Sequence, residues 1–227
     1  MRPMKRIWLF DLDDTLHDAH RSAMPQMSVA MGQFIERELG LDQAASDALR
    51  RHYFKRYGLT LLGLLRHHAV KAAHFLHDTH LLPGLEDRVR SHPHDVAALL
   101  ALPGRKYVLT NAPRAYAMRV LDALDLLPLF DGVFTVEDMV MFGHLRPKPD
   151  ARMLRRLAAR LGVPPSHCVL VEDTLGHQKS ARRVGMKTVW LRRWIRRLPA
   201  RGRDRTRVPA YVDRRVGSLR ELGRRMP

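Results

Sequence analysis

The sequence has a single cysteine among its 227 residues and no long apolar run. One cysteine, Cys168, can form neither an intrachain disulfide nor a cysteine-rich zinc site. No uninterrupted apolar segment approaches the roughly 18 residues of a membrane span. Only four apolar residues, 7–10, separate the basic start "MRPMKR" from the first aspartate, too few for the apolar part of a secretion signal. These absences predict a protein of the reducing cytoplasm that has no membrane partner.

Acidic residues are scarce relative to basic ones. The chain has 23 Asp and Glu against 40 Lys and Arg, a formal net charge of +17. Most of the excess lies near the C-terminus, because residues 192–227 hold thirteen arginines and three acids. Such a segment raises the hypothesis of a nucleic-acid or anionic-surface binding protein, but no other signature of nucleic-acid recognition accompanies it. We therefore keep that hypothesis only as the lesser alternative and expect no nucleic-acid partner.

The apolar pattern predicts an α/β fold. "IWLF" (7–10) is typical of a buried strand, and from residue 104 onward short β-type runs alternate with amphipathic helices. Runs that are apolar on both faces and joined by helices are typical of a parallel sheet covered on both sides, a Rossmann-like arrangement. The predicted strands are 7–10, 106–112, 132–138, 167–173, 187–193 and 210–212. The predicted helices among them are 114–126, 150–161 and 175–184, with a short last one at "SLREL".

The segment between the first strand and the others is predicted to be all helical. Apolar residues recur at helical spacing, and no convincing strand interrupts them. The helical candidates are 24–39, 43–56, 60–78 and 94–102. We predict a discontinuous α/β core, residues 1–16 and 104–227, with an inserted helical domain, residues 17–103.

Polar side chains follow the apolar strands where each strand ends. In an open α/β sheet, ligands bind beyond the carboxyl ends of the strands, so these positions are the natural place for a site. Taken singly, each has an ordinary explanation as a helix cap, a turn or a solvated lysine. Their ordered recurrence along the chain is harder to explain by chance. The residues are Asp11 and Asp13, then Thr110 and Asn111, then Lys148, then Glu172 and Asp173.

Through these segments the chain resembles the haloacid dehalogenase-like phosphohydrolases. The four motifs of that superfamily are similar, in order, to "FDLDDTL" (10–16), "LTN" (109–111), Lys148 in "RPKPD", and "VEDT" (171–174). The resemblance extends to about Trp194, and the helical insertion lies where the family has its C1-type cap. Within the superfamily, segments 56–64, 75–81 and 105–112 are most similar to the pyrimidine 5′-nucleotidase branch.

The resemblance implies a Mg²⁺-dependent phosphomonoesterase with an aspartyl-phosphate intermediate. Asp11 would be the nucleophile, since an ionised carboxylate needs no base. Asp13, on the same side of an extended chain, would protonate the leaving oxygen. The phosphate ligands would be Lys148, Thr110 and the backbone N–H of Asn111. The metal ligands would be Asp11, the Asp13 backbone carbonyl and Asp173, with Glu172 reaching the ion through a water.

Three further expectations concern substrate and neighbouring residues. The expected substrate is a pyrimidine nucleoside 5′-monophosphate, and phosphoglycolate or a sugar phosphate is the alternative, because the four motifs recognise only the phosphoryl group. Asp14 points away from Asp11 and is expected to shape a turn or cap. The fourth motif departs from the commonest family pattern, in which another acid stands where this chain has His177 and Gln178.

Overall fold

The computed structural model describes residues 6–194 and 207–223. Six of its strands form one parallel sheet in the order β3-β2-β1-β6-β7-β8, and β4 and β5 form a separate antiparallel hairpin. The strands are β1 (Ile7–Phe10), β2 (Arg105–Leu109), β3 (Gly132–Phe134), β4 (Val140–Met141), β5 (His144–Leu145), β6 (Cys168–Glu172), β7 (Lys187–Leu191) and β8 (Arg214–Val216). The predicted α/β fold with a parallel sheet is confirmed.

Ten helices accompany the strands in the described part of the chain. They are α1 (Ala19–Ser22), α2 (Met24–Leu39), α3 (Gln43–Tyr57), α4 (Thr60–His67), α5 (Ala72–His80), α6 (Leu85–Arg88), α7 (Pro93–Ala101), α8 (Arg114–Ala123), α9 (Ala151–Arg160) and α10 (Leu175–Arg183). Short 3-10 helices lie at Leu127–Leu129, Val136–Asp138, Pro165–His167 and Leu219–Gly223. None of the helices in the described ranges is long and apolar enough to cross a membrane.

Strand β1 occupies the middle of the sheet because every one of its side chains is apolar. All four are buried, and the strand is paired on both sides, with β2 and with β6. Ile7 and Leu9 belong to the same core cluster as Met153 and Leu157 of α9. Each such side chain contributes about 1.5–3 kcal/mol when fully buried, so β1 is firmly fixed where Asp11 begins.

The last strand differs from the prediction, which placed it at 210–212. That segment forms a turn in which Val212 N–H donates to the carbonyl of Pro209 at 2.9 Å, and the strand is Arg214–Val216. The prediction was wrong because it followed the apolar residues, whereas this edge strand carries two arginines. Charged residues are common on edge strands because they disfavour pairing with another chain.

The helices of the insertion form a compact unit of their own, Arg21–Arg88. Its core includes Phe34 against Phe75 and a close approach of Gly63 to Tyr53, where an added Cβ would lie 2.1 Å from the Tyr53 ring. The helix predicted over 60–78 is divided into α4 and α5, because His68 is already extended at the end of α4.

The helical unit is shorter than the predicted insertion 17–103. Helix α7 belongs to the other unit, residues 1–20 and 89–227. There the carboxylate of Asp95 accepts from Leu219 N–H at 3.1 Å and forms an ion pair with Arg193. These contacts join α7 to the C-terminal part of the chain, and no local pattern in α7 signals such distant partners.

Candidate active site

The carboxyl ends of β1 and β6 meet a buried lysine from the loop before α9. Asp11 continues β1 by one residue, since its N–H donates to the carbonyl of Val171 at 3.0 Å. Lys148 Nζ donates to Asp11 Oδ1 at 2.6 Å and to Glu172 Oε2 at 2.8 Å. The lysine side chain is only 1% exposed, so these contacts form in a dry environment. The structure thus brings together three of the predicted site residues.

Charge balance fixes the ionisation of Lys148 and Glu172. Burial alone would lower the pKa of Lys148, but the carboxylates of Asp11 and Glu172 outweigh it and raise that pKa. Burial would likewise raise the pKa of Glu172, but Lys148 and His177 outweigh it and hold the pKa well below its usual range. Lys148 is therefore a fixed positive charge and Glu172 a fixed negative one.

Three carboxylates crowd around this lysine. Ligand oxygens of Asp11, Glu172 and Asp173 all lie within 4.8 Å of one another. Burial, together with the charge of Glu172, raises the pKa of both Asp11 and Asp173 well above the usual value. A cluster of oxygen donors with excess negative charge fits a hard divalent cation such as Mg²⁺. The donor set present is therefore compatible with the predicted metal.

Asn111 holds the lysine loop in place. Its side-chain amide donates to the Lys148 carbonyl at 2.9 Å and accepts from Lys148 N–H at 2.9 Å. Thr110 lies one residue earlier, buried at the end of β2, and its hydroxyl accepts from Ala112 N–H at 3.0 Å. The sequence prediction gave Asn111 only a backbone role. The side-chain contact was missed because it joins two loops that are distant along the chain.

The carboxylate of Asp13 contacts two buried side chains. Its Oδ1 accepts from the Tyr116 hydroxyl at 2.7 Å and lies 3.0 Å from His17 Nε2. Among the described residues, the Asp13 carboxylate is not a member of the group formed by Asp11, Glu172 and Asp173. Sequence reasoning missed both partners. The spacing of four residues could have signalled His17, but nothing local indicates Tyr116.

Asp14 turns the chain, as predicted. It adopts a left-handed conformation with φ of 56°, and its Oδ1 accepts from His20 N–H at 3.1 Å. The short polar side chain of aspartate tolerates this conformation and satisfies a backbone donor at the start of α1. Asp14 thus directs the chain out of the site.

His177 and Gln178 stand in place of the acid that many family members carry in the fourth motif. His177 Nδ1 lies 2.9 Å from Glu172 Oε2. The Gln178 amide donates to the carbonyls of Glu172 at 2.8 Å and Val189 at 2.6 Å, joining the end of β6 to the middle of β7. In this chain the two residues support Glu172 instead of adding a further carboxylate.

Comparison with known proteins decides the family. The family model of the haloacid dehalogenase-like hydrolases matches residues 6–185, which include all four motifs. The chain belongs to this family. As a haloacid dehalogenase-like hydrolase it carries the motif residues at the carboxyl edge of the sheet, where ligands of open α/β folds bind.

Relatives and solved structures agree with this assignment. Phosphate metabolism protein 8 of Saccharomyces cerevisiae is 24% identical over 197 residues, which are 81% of this chain and 60% of the yeast protein. A HAD phosphatase from Thermococcus onnurineus has a TM-score of 0.63 at 22% identity, covering 96% of each chain. CbbY from Rhodobacter sphaeroides, solved with phosphate, has a TM-score of 0.64 at 21% identity, covering 97% of each. Dehalogenases are structural neighbours too, so these similarities show the fold alone.

Proposed function

We propose that the protein is a Mg²⁺-dependent phosphomonoesterase that works through an aspartyl-phosphate on Asp11. The observation that carries the proposal is the buried contact of 2.6 Å between Lys148 Nζ and Asp11 Oδ1 at the end of the central strand. A lysine so placed orients the nucleophilic oxygen and offers a positive charge to an incoming phosphate. Thr110 and the backbone N–H of Asn111 are the further phosphate ligands of this proposal.

The presence of Asp13 favours phosphate esters over haloacids as substrates. When Asp11 attacks phosphorus, the P–O bond to the leaving group breaks, and an alkoxide leaving group needs a proton. Asp13 supplies that proton and afterwards takes one from the water that hydrolyses the aspartyl-phosphate. A halide leaving group needs no proton, so a dehalogenase would have no use for this acid.

Asp11, Asp173 and the Asp13 backbone carbonyl would hold the metal, and Glu172 would reach it through a water. Glu172 is already bound to Lys148 at 2.8 Å, which supports an indirect role. When bound, Mg²⁺ supplies positive charge that offsets the repulsion between the phosphate and the carboxylates.

The proposed substrate is a pyrimidine nucleoside 5′-monophosphate. The proposal rests on the resemblance of segments 56–64, 75–81 and 105–112 to the nucleotidase branch. Phosphoglycolate or a sugar phosphate is the second candidate, because the residues at the strand ends recognise only the phosphoryl group. The yeast relative is named for phosphate metabolism, which is compatible with either candidate. The single cysteine, buried at Cys168, supports a reducing, cytoplasmic location.

The aspartyl-phosphate mechanism is tested by measuring how fast the Asp11→Asn variant turns over a panel of substrates, which the next paragraph names. We expect loss of at least about 10³-fold in kcat with Mg²⁺ present, because removal of a nucleophile leaves only binding and electrostatic effects. Asp42→Asn is the matched control. Asp42 caps α3 outside the cluster, and asparagine caps as well as aspartate does. Substantial activity of Asp11→Asn would refute the assignment of Asp11 as the nucleophile. Full activity of the wild-type protein in EDTA would refute the requirement for a metal.

The same panel decides the substrate. It contains UMP, CMP, phosphoglycolate, a hexose phosphate, 4-nitrophenyl phosphate and a 2-haloacid. We expect the highest kcat/KM for UMP or CMP. A preference for phosphoglycolate would overturn the nucleotidase proposal and leave the chemistry intact, whereas halide release would overturn the phosphatase proposal itself.

A further inference from the structure

Two buried side chains, Tyr116 and His17, contact the carboxylate of Asp13. Tyr116 lies on α8, the helix that follows Thr110 and Asn111, and His17 lies in the loop between β1 and α1. Both residues are fully buried, whereas the Asp13 side chain is 18% exposed. Of these three residues, Asp13 is therefore the one that can meet a ligand.

Both contacts fall on one oxygen of Asp13. The Tyr116 hydroxyl donates to Oδ1 at 2.7 Å, and His17 Nε2 lies 3.0 Å from the same atom and 3.5 Å from the tyrosine hydroxyl. The tyrosine hydroxyl is the donor in this contact, and the carboxyl oxygen of Asp13 is the acceptor.

Because the Tyr116 hydroxyl donates to Oδ1, the proton that Asp13 transfers in the proposed reaction is assigned to Oδ2. The two contacts also fix the side-chain torsions, so Oδ2 has one preferred direction. Misplacement of a reacting group by about 1 Å can cost about 10²-fold in rate. Contacts that fix Oδ1 of Asp13 therefore affect the rate of proton transfer from Oδ2.

We propose that Tyr116 and His17 are positioning residues that hold Asp13 so that Oδ2 delivers the proton to the leaving oxygen. This inference rests on the proposed phosphatase function. As the P–O bond breaks, the proton of Oδ2 moves to the departing oxygen, and Asp13 becomes a carboxylate. Its hydrogen bond from Tyr116 then becomes charge-assisted and roughly twice as strong as a neutral one. The pair thus stabilises Asp13 in the form that the reaction produces.

The test compares two leaving groups with the Tyr116→Phe variant. Alkoxide leaves poorly without a proton, whereas 4-nitrophenolate is a stable anion. The parameter is kcat/KM, which reports the steps up to departure of the leaving group. We expect kcat/KM to fall at least about tenfold for UMP, or for the alkyl phosphate of the panel that is turned over fastest, and less than about threefold for 4-nitrophenyl phosphate. Equal losses on both substrates, or no loss, would overturn the inference.

Controls separate positioning from a merely structural role. Tyr107→Phe removes another tyrosine hydroxyl, which accepts from Arg105 Nη1 at 3.3 Å. This variant should change kcat/KM for neither of the two substrates. Asp13→Asn should show the same leaving-group selectivity, and adding Tyr116→Phe to it should cause little further loss. If circular dichroism shows that Tyr116→Phe does not fold, His17→Gln takes its place in the same comparison. Failure of the proposed function is distinct, since it appears as activity retained by Asp11→Asn.

Discussion

At the scale of single residues, one buried lysine offsets the negative charge of the carboxylates in the site. Lys148 is buried and contacts two carboxylates, Asp11 and Glu172, with Asp173 beside them. Removing one partner of a buried ion pair leaves uncompensated charge in a dry environment, which costs far more than removing an exposed pair. The lysine therefore contributes to stability as well as to the proposed chemistry.

Lys148→Met should be both inactive and less stable. We expect the free energy of unfolding at pH 7 to fall by about 3 kcal/mol, the lower end of the range for breaking a buried ion pair. The measurement is urea unfolding in EDTA, so that no metal replaces the missing charge. Lys179→Met, at an exposed position of α10, should cost less than about 0.5 kcal/mol. Equal stability of the two variants would show that the buried lysine is not needed to balance the carboxylates.

Residues of the site differ in how far the sequence alone predicts them. Asp11 follows β1, Glu172 ends β6 and Lys148 lies between two prolines, and the sheet edge brings the three together. The contact of Asp13 with Tyr116 and the side-chain contact of Asn111 escaped prediction because each depends on how two distant segments pack. Hydrogen bonds between distant segments leave no periodic pattern in the sequence.

At the scale of elements, the N-terminus of helix α9 fixes the C-terminal end of the loop that carries Lys148. Asp150, two residues after Lys148, caps α9, since its side chain accepts from Arg152 N–H at 2.8 Å. The same carboxylate contacts Arg152 Nη2 at 3.0 Å and Arg146 Nη1 at 3.1 Å. Burial would raise the pKa of Asp150, but these arginine contacts outweigh it and lower the pKa to about 2.

Asp150→Ala should destabilise the protein by about 1 kcal/mol near neutral pH, through loss of the cap. Asp150→Asn keeps a cap acceptor and removes only the charge. Because the folded pKa lies below the unfolded value of about 3.9, the charge stabilises fully above pH 4 and progressively less as the pH falls towards 2. Urea unfolding of wild type and Asp150→Asn between pH 7 and pH 2.5 should show this convergence. A constant difference over that range would contradict the ionic contribution.

Elements were predicted well where their burial pattern is regular. Strands β1 and β6 are buried throughout, and both were predicted. The edge strand β8 was misplaced because arginines replace the apolar pattern, and the hairpin β4-β5 was missed because its strands have only two residues each. Regularity of burial, more than strand propensity, decided what could be predicted.

At the scale of the whole molecule, the net charge of +17 creates a field that favours anions. Phosphate esters are dianionic near neutral pH, so attraction should raise their encounter rate with the site. Salt weakens this attraction, because the screening length falls from about 10 Å at 0.1 M to about 3 Å at 1 M. The contacts of Lys148 with Asp11 and Glu172 are buried and should be screened much less.

Salt should therefore affect binding and chemistry differently. Raising NaCl from 20 mM to 500 mM at constant free Mg²⁺ should lower kcat/KM for a phosphate ester about tenfold, the lower end of electrostatic steering, and change kcat little. Initial rates over a range of substrate concentrations separate the two parameters. Parallel loss of both would indicate that salt acts on the site itself, contrary to the burial of Lys148.

The same field explains why weak binding of RNA alone would not establish a nucleic-acid function. A basic surface binds any polyanion, with an affinity that falls linearly with salt on logarithmic axes. If RNA is merely attracted by charge, it should compete with the phosphate ester at 20 mM NaCl and lose that effect at 500 mM. Tight RNA binding that persists at 500 mM and survives Asp11→Asn would instead favour the binding-protein alternative. Competition kinetics at the two salt concentrations thus distinguish a charged enzyme from a nucleic-acid binding protein.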